Sequence, residues 1–165
     1  MMKTLKLISA LCIMLILSCG GKEEKKKEKI KLPTKTEKKV DNTAKKIPAS
    51  KTVDLNNKGI GSITSLTLPA EIDQAMATKG ADVFKKLCTA CHRADKKFIG
   101  PAPTGILERR SPEWVMNMIL NPEEMTQKDP LAKALLIEFN GSPMANQNLT
   151  EEEARAVLEY FRTLK

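Results

Sequence analysis

Hydrophobic residues recur at intervals of three and four positions in the second half of the chain, which is the spacing of one helix face. No segment alternates between apolar and polar residues for long enough to predict a strand. The pattern therefore predicts an all-α fold. The first stripe predicts a helix of about 17 residues, with apolar positions at Ile72, Ala75, Met76, Gly80, Val83, Phe84 and Leu87.

Three later helices are predicted from their start signals. Each begins with a side chain that can cap the helix, followed by Pro at the first helical position or by an acidic residue in the first turn. The capping residues are Ser111, Asp129 and Thr150, and the helices are predicted to end near Leu120, Phe139 and Leu164. Thr150 and Glu153 together form a capping box. Long loops are expected between residues 91 and 111 and between residues 139 and 150.

The start of the chain has the pattern of an export signal. Lys3 and Lys6 precede the apolar run Leu7–Leu17, which is too short to span a bilayer of about 30 Å as a helix. Cys19 follows a small residue, and this ending resembles the bacterial lipobox, in which the Cys becomes the lipidated first residue of the mature protein. We expect residues 1–18 to be a lipoprotein signal peptide. Ordinary cleavage that loses Cys19 or leaves it free is the alternative.

Residues 19–68 have the composition of a lipid-anchored tether. From residue 22 onwards, Lys, Glu, Thr and Asn dominate, and the few apolar residues cannot offset the entropy of ordering, so we predict disorder up to residue 68. Residues 22–58 hold 13 basic and 6 acidic residues, whereas residues 59–165 hold 13 and 14. The basic stretch lacks aromatic residues and precedes the predicted folded domain, residues 69–165, which argues against nucleic-acid binding.

The candidate chemistry lies in the sequence Cys88-Thr89-Ala90-Cys91-His92. Two cysteines separated by two residues and followed by His are the attachment signature of c-type haem. On a helical turn, the two thiols can reach the two vinyl groups on one porphyrin edge, and His92 supplies the proximal ligand of the iron. The alternatives are weaker. A zinc site needs more ligands than this chain with one His provides, a thioredoxin-like dithiol needs a βαβ context, and a plain disulfide leaves His92 unexplained.

A low-spin haem iron needs a second axial ligand, and a Met thioether is the natural soft donor because the chain has no second His. Met144 is the first candidate, since it lies in an irregular loop before the last predicted helix. Met125 lies in another predicted loop and is the second candidate. Met76, Met116 and Met118 lie on predicted helices and are interpreted as core residues.

These features resemble the class I cytochromes c over about residues 74–165. In that family the first and last helices cross, and the matching positions here are Gly80, Phe84, Val157 and Tyr160. The resemblance implies a small all-α fold wrapped around one covalent haem c. It also implies that the carbonyl of Pro101 accepts a hydrogen bond from the proximal His92, which would fix the ring.

The middle of the predicted domain carries a narrower resemblance. Arg109, Arg110 and Trp114 occupy the region where class I cytochromes c have donors to a haem propionate. The alternative is that Trp114 is a core residue and that both arginines are solvated. The Arg-Arg-x-x-Glu-Trp sequence here, and the Met-x-Asn-Gln-Asn-Leu-Thr sequence that starts at Met144, are similar to small cytochromes that accompany nitrous oxide reductase.

The sequence as a whole predicts a one-electron carrier rather than an enzyme. We expect it to be tethered through lipidated Cys19 to a bacterial membrane, on the periplasmic or cell-surface side, and to pass electrons between respiratory protein partners, with nitrous oxide reductase as the suggested acceptor. A Met ligand and an apolar surround would place the reduction potential on the high side. The candidate docking patch, with a merely solvated face as its alternative, consists of Lys85, Lys86, Lys96 and Lys97.

Two other classes of protein stay open at this point. A haem enzyme or gas sensor with an open sixth iron position would bind a small gas or peroxide. A non-haem adhesion or scaffolding lipoprotein would carry no covalent cofactor.

Overall fold

The computed structural model describes residues 47–165, and within this range the chain is helical. Its five α-helices are α1 Gln74–Val83, α2 Pro112–Leu120, α3 Pro122–Lys128, α4 Pro130–Glu138 and α5 Glu151–Thr163. A five-residue π turn, Phe84–Cys88, continues α1, and 3₁₀ turns lie at Ala49–Lys51 and Ile106–Glu108. In this part of the chain, extended backbone pairs only as an isolated bridge between Asp54 and Arg110. The all-α prediction is confirmed.

The predicted helix starts are also confirmed. Ser111 Oγ and Asp129 Oδ1 each accept a hydrogen bond from the backbone N–H three residues further on, at 3.1 and 2.7 Å. Thr150 and Glu153 form the reciprocal capping box at the start of α5. These side chains satisfy N–H groups that have no partner inside their own helix. Helix α4 ends as expected, because Asn140 adopts a φ of 60° and Gly141 a φ of 71°.

Helix α3 was missed by the sequence reading, which placed Met125 in a loop. Pro122 stands at the first helical position and two acidic residues follow it, so the signal that identified α2 was present here as well. Met125 is fully buried, and its sulfur accepts a hydrogen bond from the backbone N–H of Ile60 at 3.0 Å. The loop placement of Met125 is therefore wrong, and its thioether already has a partner.

Helices α1 and α5 cross at Gly80. A Cβ atom on Gly80 would lie 1.9 Å from the carbonyl oxygen of Ala156, so only Gly allows this approach. One turn further along, the ring of Phe84 packs against those of Tyr160 and Phe161, with centroids 5.5 and 5.7 Å apart. Such tilted and edge-on contacts favour aromatic pairs beyond their burial alone. The predicted crossing of these two helices is confirmed.

A buried carboxylate joins α5 to the residue that caps α1. Glu159 accepts hydrogen bonds from Arg155 at 2.5 Å, from Arg162 at 2.6 Å and from the backbone N–H of Asp73 at 2.9 Å. Burial raises the pKa of Glu159, but the bond from Arg155, the Asp73 N–H and the two guanidinium charges outweigh it, so the net pKa lies below the usual value. The ionised side chain therefore fixes the start of α1 against α5.

The chain before α1 is ordered, which corrects the predicted tether. Residues 47–68, called the strap below, lie along α2, where buried Asn117 donates to the carbonyl oxygens of Lys58 and Ile63, both at 2.9 Å. Glu113 accepts from the backbone N–H of Leu66 at 3.1 Å. The prediction of disorder is thus wrong for residues 47–68, and the folded part begins before the predicted boundary at residue 69.

The physical reason for this error lies in the partners of the strap. Composition counts the apolar residues that a segment can bury, but the strap is bound largely through its backbone, by polar side chains of α2 and the turn before it. Its own apolar contribution is modest, with Ile63 buried in the core and Leu66 and Leu68 packed against it.

The predicted signal peptide, Cys19 and the rest of the predicted tether lie outside the described residues. Among the described helices, none has both the length and the apolar run needed to cross a membrane.

We expect Gly80→Ala to destabilise the protein by about 3 kcal/mol, because the added methyl group must push α1 away from the backbone of α5. Urea denaturation of the purified protein would measure the loss. Gly141→Ala is the matched control: it is strained by its positive φ, but nothing lies within 4 Å of the new Cβ, so a cost of about 1 kcal/mol is expected. Equal costs for the two variants would show that close helix approach is not what Gly80 provides.

Candidate haem site

A cavity lies at the centre of the helical part and is lined mainly by apolar side chains. All five predicted site residues line this cavity: Cys88, Cys91, His92, Pro101 and Met144. Its apolar walls come from the 3₁₀ turn, three helices and the loop before α5, through Ile106, Val115, Ile119, Leu135, Leu136, Leu149 and Val157. The fold thus gathers residues that are up to 56 positions apart, counted from Cys88 to Met144, around one space.

His92 is held in one orientation by the loop that follows it. Its Nδ1 donates to the carbonyl oxygen of Pro101 at 2.8 Å, as the resemblance implied. That bond leaves Nε2 with the free lone pair, which is the atom an iron ligand must present. Gly100 permits this packing, since a Cβ there would lie 2.4 Å from His92 Cε1.

The two thiols lie on the turn that joins α1 to His92. Both cysteines are free, and the backbone N–H groups of Cys91 and His92 donate to the carbonyl oxygen of Cys88 at 3.1 and 2.9 Å. Burial raises the pKa of Cys88, and a negative charge on Cys91 would raise it further. The bonded turn presents the two thiols side by side for attachment to one edge of a cofactor.

Met144 lines the same cavity as His92 and stands in the loop between α4 and α5. The loop is fixed at its start by hydrogen bonds from Gly141 N to Leu136 O at 2.8 Å and from Ser142 N to Phe139 O at 3.2 Å. Its end is fixed by the capping box of α5. Met118, on α2, also lines the cavity, whereas Met125 is not among the lining residues. Met125 is therefore excluded as the second ligand candidate.

Two arginines line the cavity with part of each guanidinium group unused. The terminal nitrogens of Arg109 donate to the carbonyl oxygens of Thr104 and Gly105, and those of Arg110 to Ala49, Thr52 and Arg109. The Nε atoms of both arginines are buried, and neither has a hydrogen-bond partner among residues 47–165. Burial first, and then the charge of Arg109, lower the pKa of Arg110, while nearby carboxylates oppose the shift. Two guanidinium groups at the wall of the cavity suit an anionic group there.

Trp114 has a structural role in this arrangement. It is 3% exposed, and its indole N–H donates to Asp129 Oδ1 at 3.1 Å. Its only side-chain N–H is therefore used inside the fold, and the core interpretation of Trp114 is the one that the structure supports. Asp129 also caps α4 and accepts from Asn57 of the strap at 2.7 Å.

The fold and the site define an all-α protein built to hold one covalently attached haem c. The family model described as cytochrome c matches residues 77–165, and the chain therefore belongs to the cytochrome c family.

Relatives with solved structures or known names agree with this assignment. Cytochrome c2 of Rhodopseudomonas palustris is 29% identical over 113 residues, which cover 54% of this chain and 98% of that protein. The structure of cytochrome c from Rhodothermus marinus is 41% identical, with a TM-score of 0.61 over 71% of this chain and 93% of that chain. An engineered form of the latter, bound to a carbene intermediate, is 40% identical with a TM-score of 0.59 and covers 71% of this chain and 94% of that one. The class I monohaem fold, the covalent haem c and electron transport as the general function are thus established.

The strap is the part of the site that sequence reasoning missed. Ser50 lines the cavity beside the two arginines, although composition placed it in a disordered tether. The available signal was the spacing of apolar residues just before α1, at Ile60, Ile63, Leu66 and Leu68. All four pack against the core or belong to it.

We expect Gly100→Ala to displace the imidazole of His92, because the new methyl group would overlap the ring. The absorption spectrum of the purified protein should then lose its low-spin form. Gly105→Ala is the control: its positive φ of 64° strains the variant, but its nearest contact is the Arg109 side chain at 3.3 Å, not His92. A Gly100→Ala protein with an unchanged spectrum would contradict the proposed packing of His92 as axial ligand.

Proposed function

We propose that this protein is a membrane-tethered one-electron carrier whose haem iron is bound by His92 and Met144. The observation that carries the proposal is that both side chains line one apolar cavity, next to the pair of thiols. When bound, haem supplies an iron centre that alternates between the ferric and ferrous states. The rest of the chemistry is a matter of how the chain binds, orients and shields that group.

Each of the surrounding residues has a defined task in this proposal. The carbonyl of Pro101 orients His92 and increases the basicity of its ring. The thioether of Met144 and the apolar walls both disfavour the higher positive charge of ferric iron, so the reduction potential lies on the high side. Arg109 and Arg110, which line the cavity, would hold the propionates of the haem through their guanidinium groups.

Partner binding is proposed to occur beside the haem motif. Lys85, Lys86, Lys96 and Lys97 are all exposed around it, and Lys97 Nζ stands 4.6 Å from the centre of the Phe139 ring. Phe98 and Ile99 are 45% and 46% exposed in the same stretch. A small apolar area with a basic border suits a brief contact with a partner that carries acidic residues.

The alternative function is a haem enzyme or gas sensor with an open sixth iron position. It differs from a carrier in the state of the iron, since a carrier keeps both axial ligands and an enzyme or sensor leaves one position free. The distinction therefore depends on Met144.

We expect Met144→Ala to convert a low-spin ferric spectrum into a high-spin one, to abolish the weak long-wavelength band of Met–iron ligation, and to allow fast binding of carbon monoxide to the ferrous form. Met118→Leu is the matched control, because Met118 lines the same cavity from α2. It should leave the band in place. A wild-type protein that is already high-spin would favour the enzyme or sensor, and a band that survives Met144→Ala would show that another residue is the ligand.

The proposed acceptor is nitrous oxide reductase. Support comes from the Arg-Arg-x-x-Glu-Trp sequence and from the Met-x-Asn-Gln-Asn-Leu-Thr sequence that starts at Met144. Both resemble sequences of small cytochromes that accompany nitrous oxide reductase. We expect the ferrous protein to be oxidised when it is mixed with that reductase in a stopped-flow instrument, at a rate that falls as salt is added. Oxidation no faster than with an unrelated copper protein would contradict this choice of partner.

The proposed attachment to the membrane is through lipidated Cys19, on the periplasmic or cell-surface side. Support comes from the apolar run Leu7–Leu17 and the small residue before Cys19. More than one acyl chain on that residue would give stable binding, since each buried methylene contributes about 0.8 kcal/mol.

We expect Cys19→Ser to abolish labelling by a radioactive fatty acid and to move the protein out of the membrane fraction, while haem is retained. Cys12→Ser is the control, because it makes the same chemical change inside the apolar run and should alter neither property. A Cys19→Ser protein that stays labelled and membrane-bound would show that the anchor lies elsewhere.

A further inference from the structure

The first residues of the strap lie at the arginine end of the haem cavity. Ser50 lines the cavity together with Arg109 and Arg110. The carboxylate of Glu138, at the end of α4, accepts one hydrogen bond from the backbone N–H of Ser50 at 2.8 Å and one from its hydroxyl at 2.5 Å. A single carboxylate thus fastens this end of the strap to the helical part.

The fastened strap in turn holds Arg110. The terminal nitrogens of Arg110 donate to the carbonyl oxygen of Ala49 at 2.7 Å and to that of Thr52. The backbone N–H of Asp54 also donates to the carbonyl oxygen of Arg109, at 2.9 Å. Counting a further bond from Nη1 to the carbonyl oxygen of Arg109, three of the five N–H groups of the guanidinium are used in this way. The Nε–H is buried without a partner among residues 47–165.

The charge of Arg110 is also left without a partner in this part of the chain. Arg110 is 2% exposed, and no carboxylate among residues 47–165 lies within 4.0 Å of its nitrogens as an ion pair. Carbonyl dipoles offset the burial of a cation only in part. The carboxylates of Asp54, Asp129 and Glu138 act on Arg110 only from a longer range. A carboxylate of a bound cofactor is the chemical group that would complement this buried cation from the cavity.

We propose that residues 49–52 and Glu138 act as a positioning device that holds the guanidinium group of Arg110 beside a haem propionate. The inference rests on the placement of haem in this cavity, and it extends the haem site to a segment that precedes the family match at residue 77. Glu138 and Ser50 do not contact the iron; they act through Arg110.

The device has an electrostatic consequence that can be measured. A guanidinium group next to a propionate keeps that propionate ionised and favours ferrous iron. If the strap is released, water enters, the pKa of the propionate rises and the reduction potential falls. The potential also becomes dependent on pH in the range where the propionate then titrates.

The test uses the complete, haem-loaded protein and two variants of one residue. Glu138→Ala removes both acceptors of Ser50, whereas Glu138→Gln removes the same negative charge but keeps an oxygen that Ser50 can bond. Two quantities are measured: the midpoint potential by spectroelectrochemistry over about pH 5 to 8, and the rate of trypsin cleavage after Lys51, which is exposed in the strap.

We expect Glu138→Ala to be cleaved after Lys51 roughly tenfold faster than the wild type, since hydrogen bonds to a charged acceptor are lost. Its midpoint potential should be lower and should vary with pH. Glu138→Gln should be cleaved more slowly than Glu138→Ala, with a potential equal to or above that of the wild type, because loss of a negative charge alone favours ferrous iron.

Three results would overturn the inference. Faster cleavage with an unchanged potential would show that the strap does not position Arg110. Equal rises in potential for both variants would reveal an effect of charge alone. Unchanged cleavage in Glu138→Ala would show that Glu138 does not hold the strap. A wild-type protein without covalent haem on a stained denaturing gel would instead remove the haem assignment itself.

Discussion

The approach of α1 to α5 at Gly80 is the constraint on which the rest of the structure depends. Helix α1 continues directly into the π turn that carries Cys88, so the position of α1 sets the position of both thiols and of His92. Helix α5 supplies Val157 and Phe161 to the wall of the same cavity. Bulk at Gly80 would therefore shift the attachment turn relative to the cavity wall, and the hydrogen bond from Asp73, at the start of α1, to Glu159 opposes such a shift.

A second constraint comes from polar side chains that are buried on and beside α2. Arg110, Glu113 and Asn117 all bond to the backbone of the strap. An unpaired buried polar group is costly, so these residues would destabilise the helical part if the strap were absent. The backbone of the strap and the buried side chains on and beside α2 thus satisfy each other's hydrogen-bonding groups. The strap is ordered because of these partners rather than because of its own sequence.

The distance in sequence between a residue and its partners explains which features could be predicted from the sequence. Helix starts such as Ser111 and the attachment motif at Cys88 depend on residues close together in the chain, and both were predicted. Pro101 and the crossing at Gly80 required a family resemblance, because the partners are distant in sequence. Helix α3 was missed although its local signal was present. The order of the strap was missed because its polar partners lie 47 or more positions away, where composition carries no information, and only the spacing of its few apolar residues pointed to it.

The positive charges of the folded part differ in burial around the cavity: the arginines at one end are shielded from solvent, and the lysines beside the haem motif are exposed. The two sets therefore suit different functions. Arg110 is buried at one end, and the Nε atom of half-buried Arg109 is also shielded from solvent. A low dielectric there would strengthen the effect of these charges on a bound cofactor. The lysines beside the haem motif remain exposed, so salt screens them and their interactions stay weak. Buried cations suit the setting of a reduction potential, and exposed cations suit a partner that must bind and leave quickly. A single small domain can hold both because each set acts over a different distance.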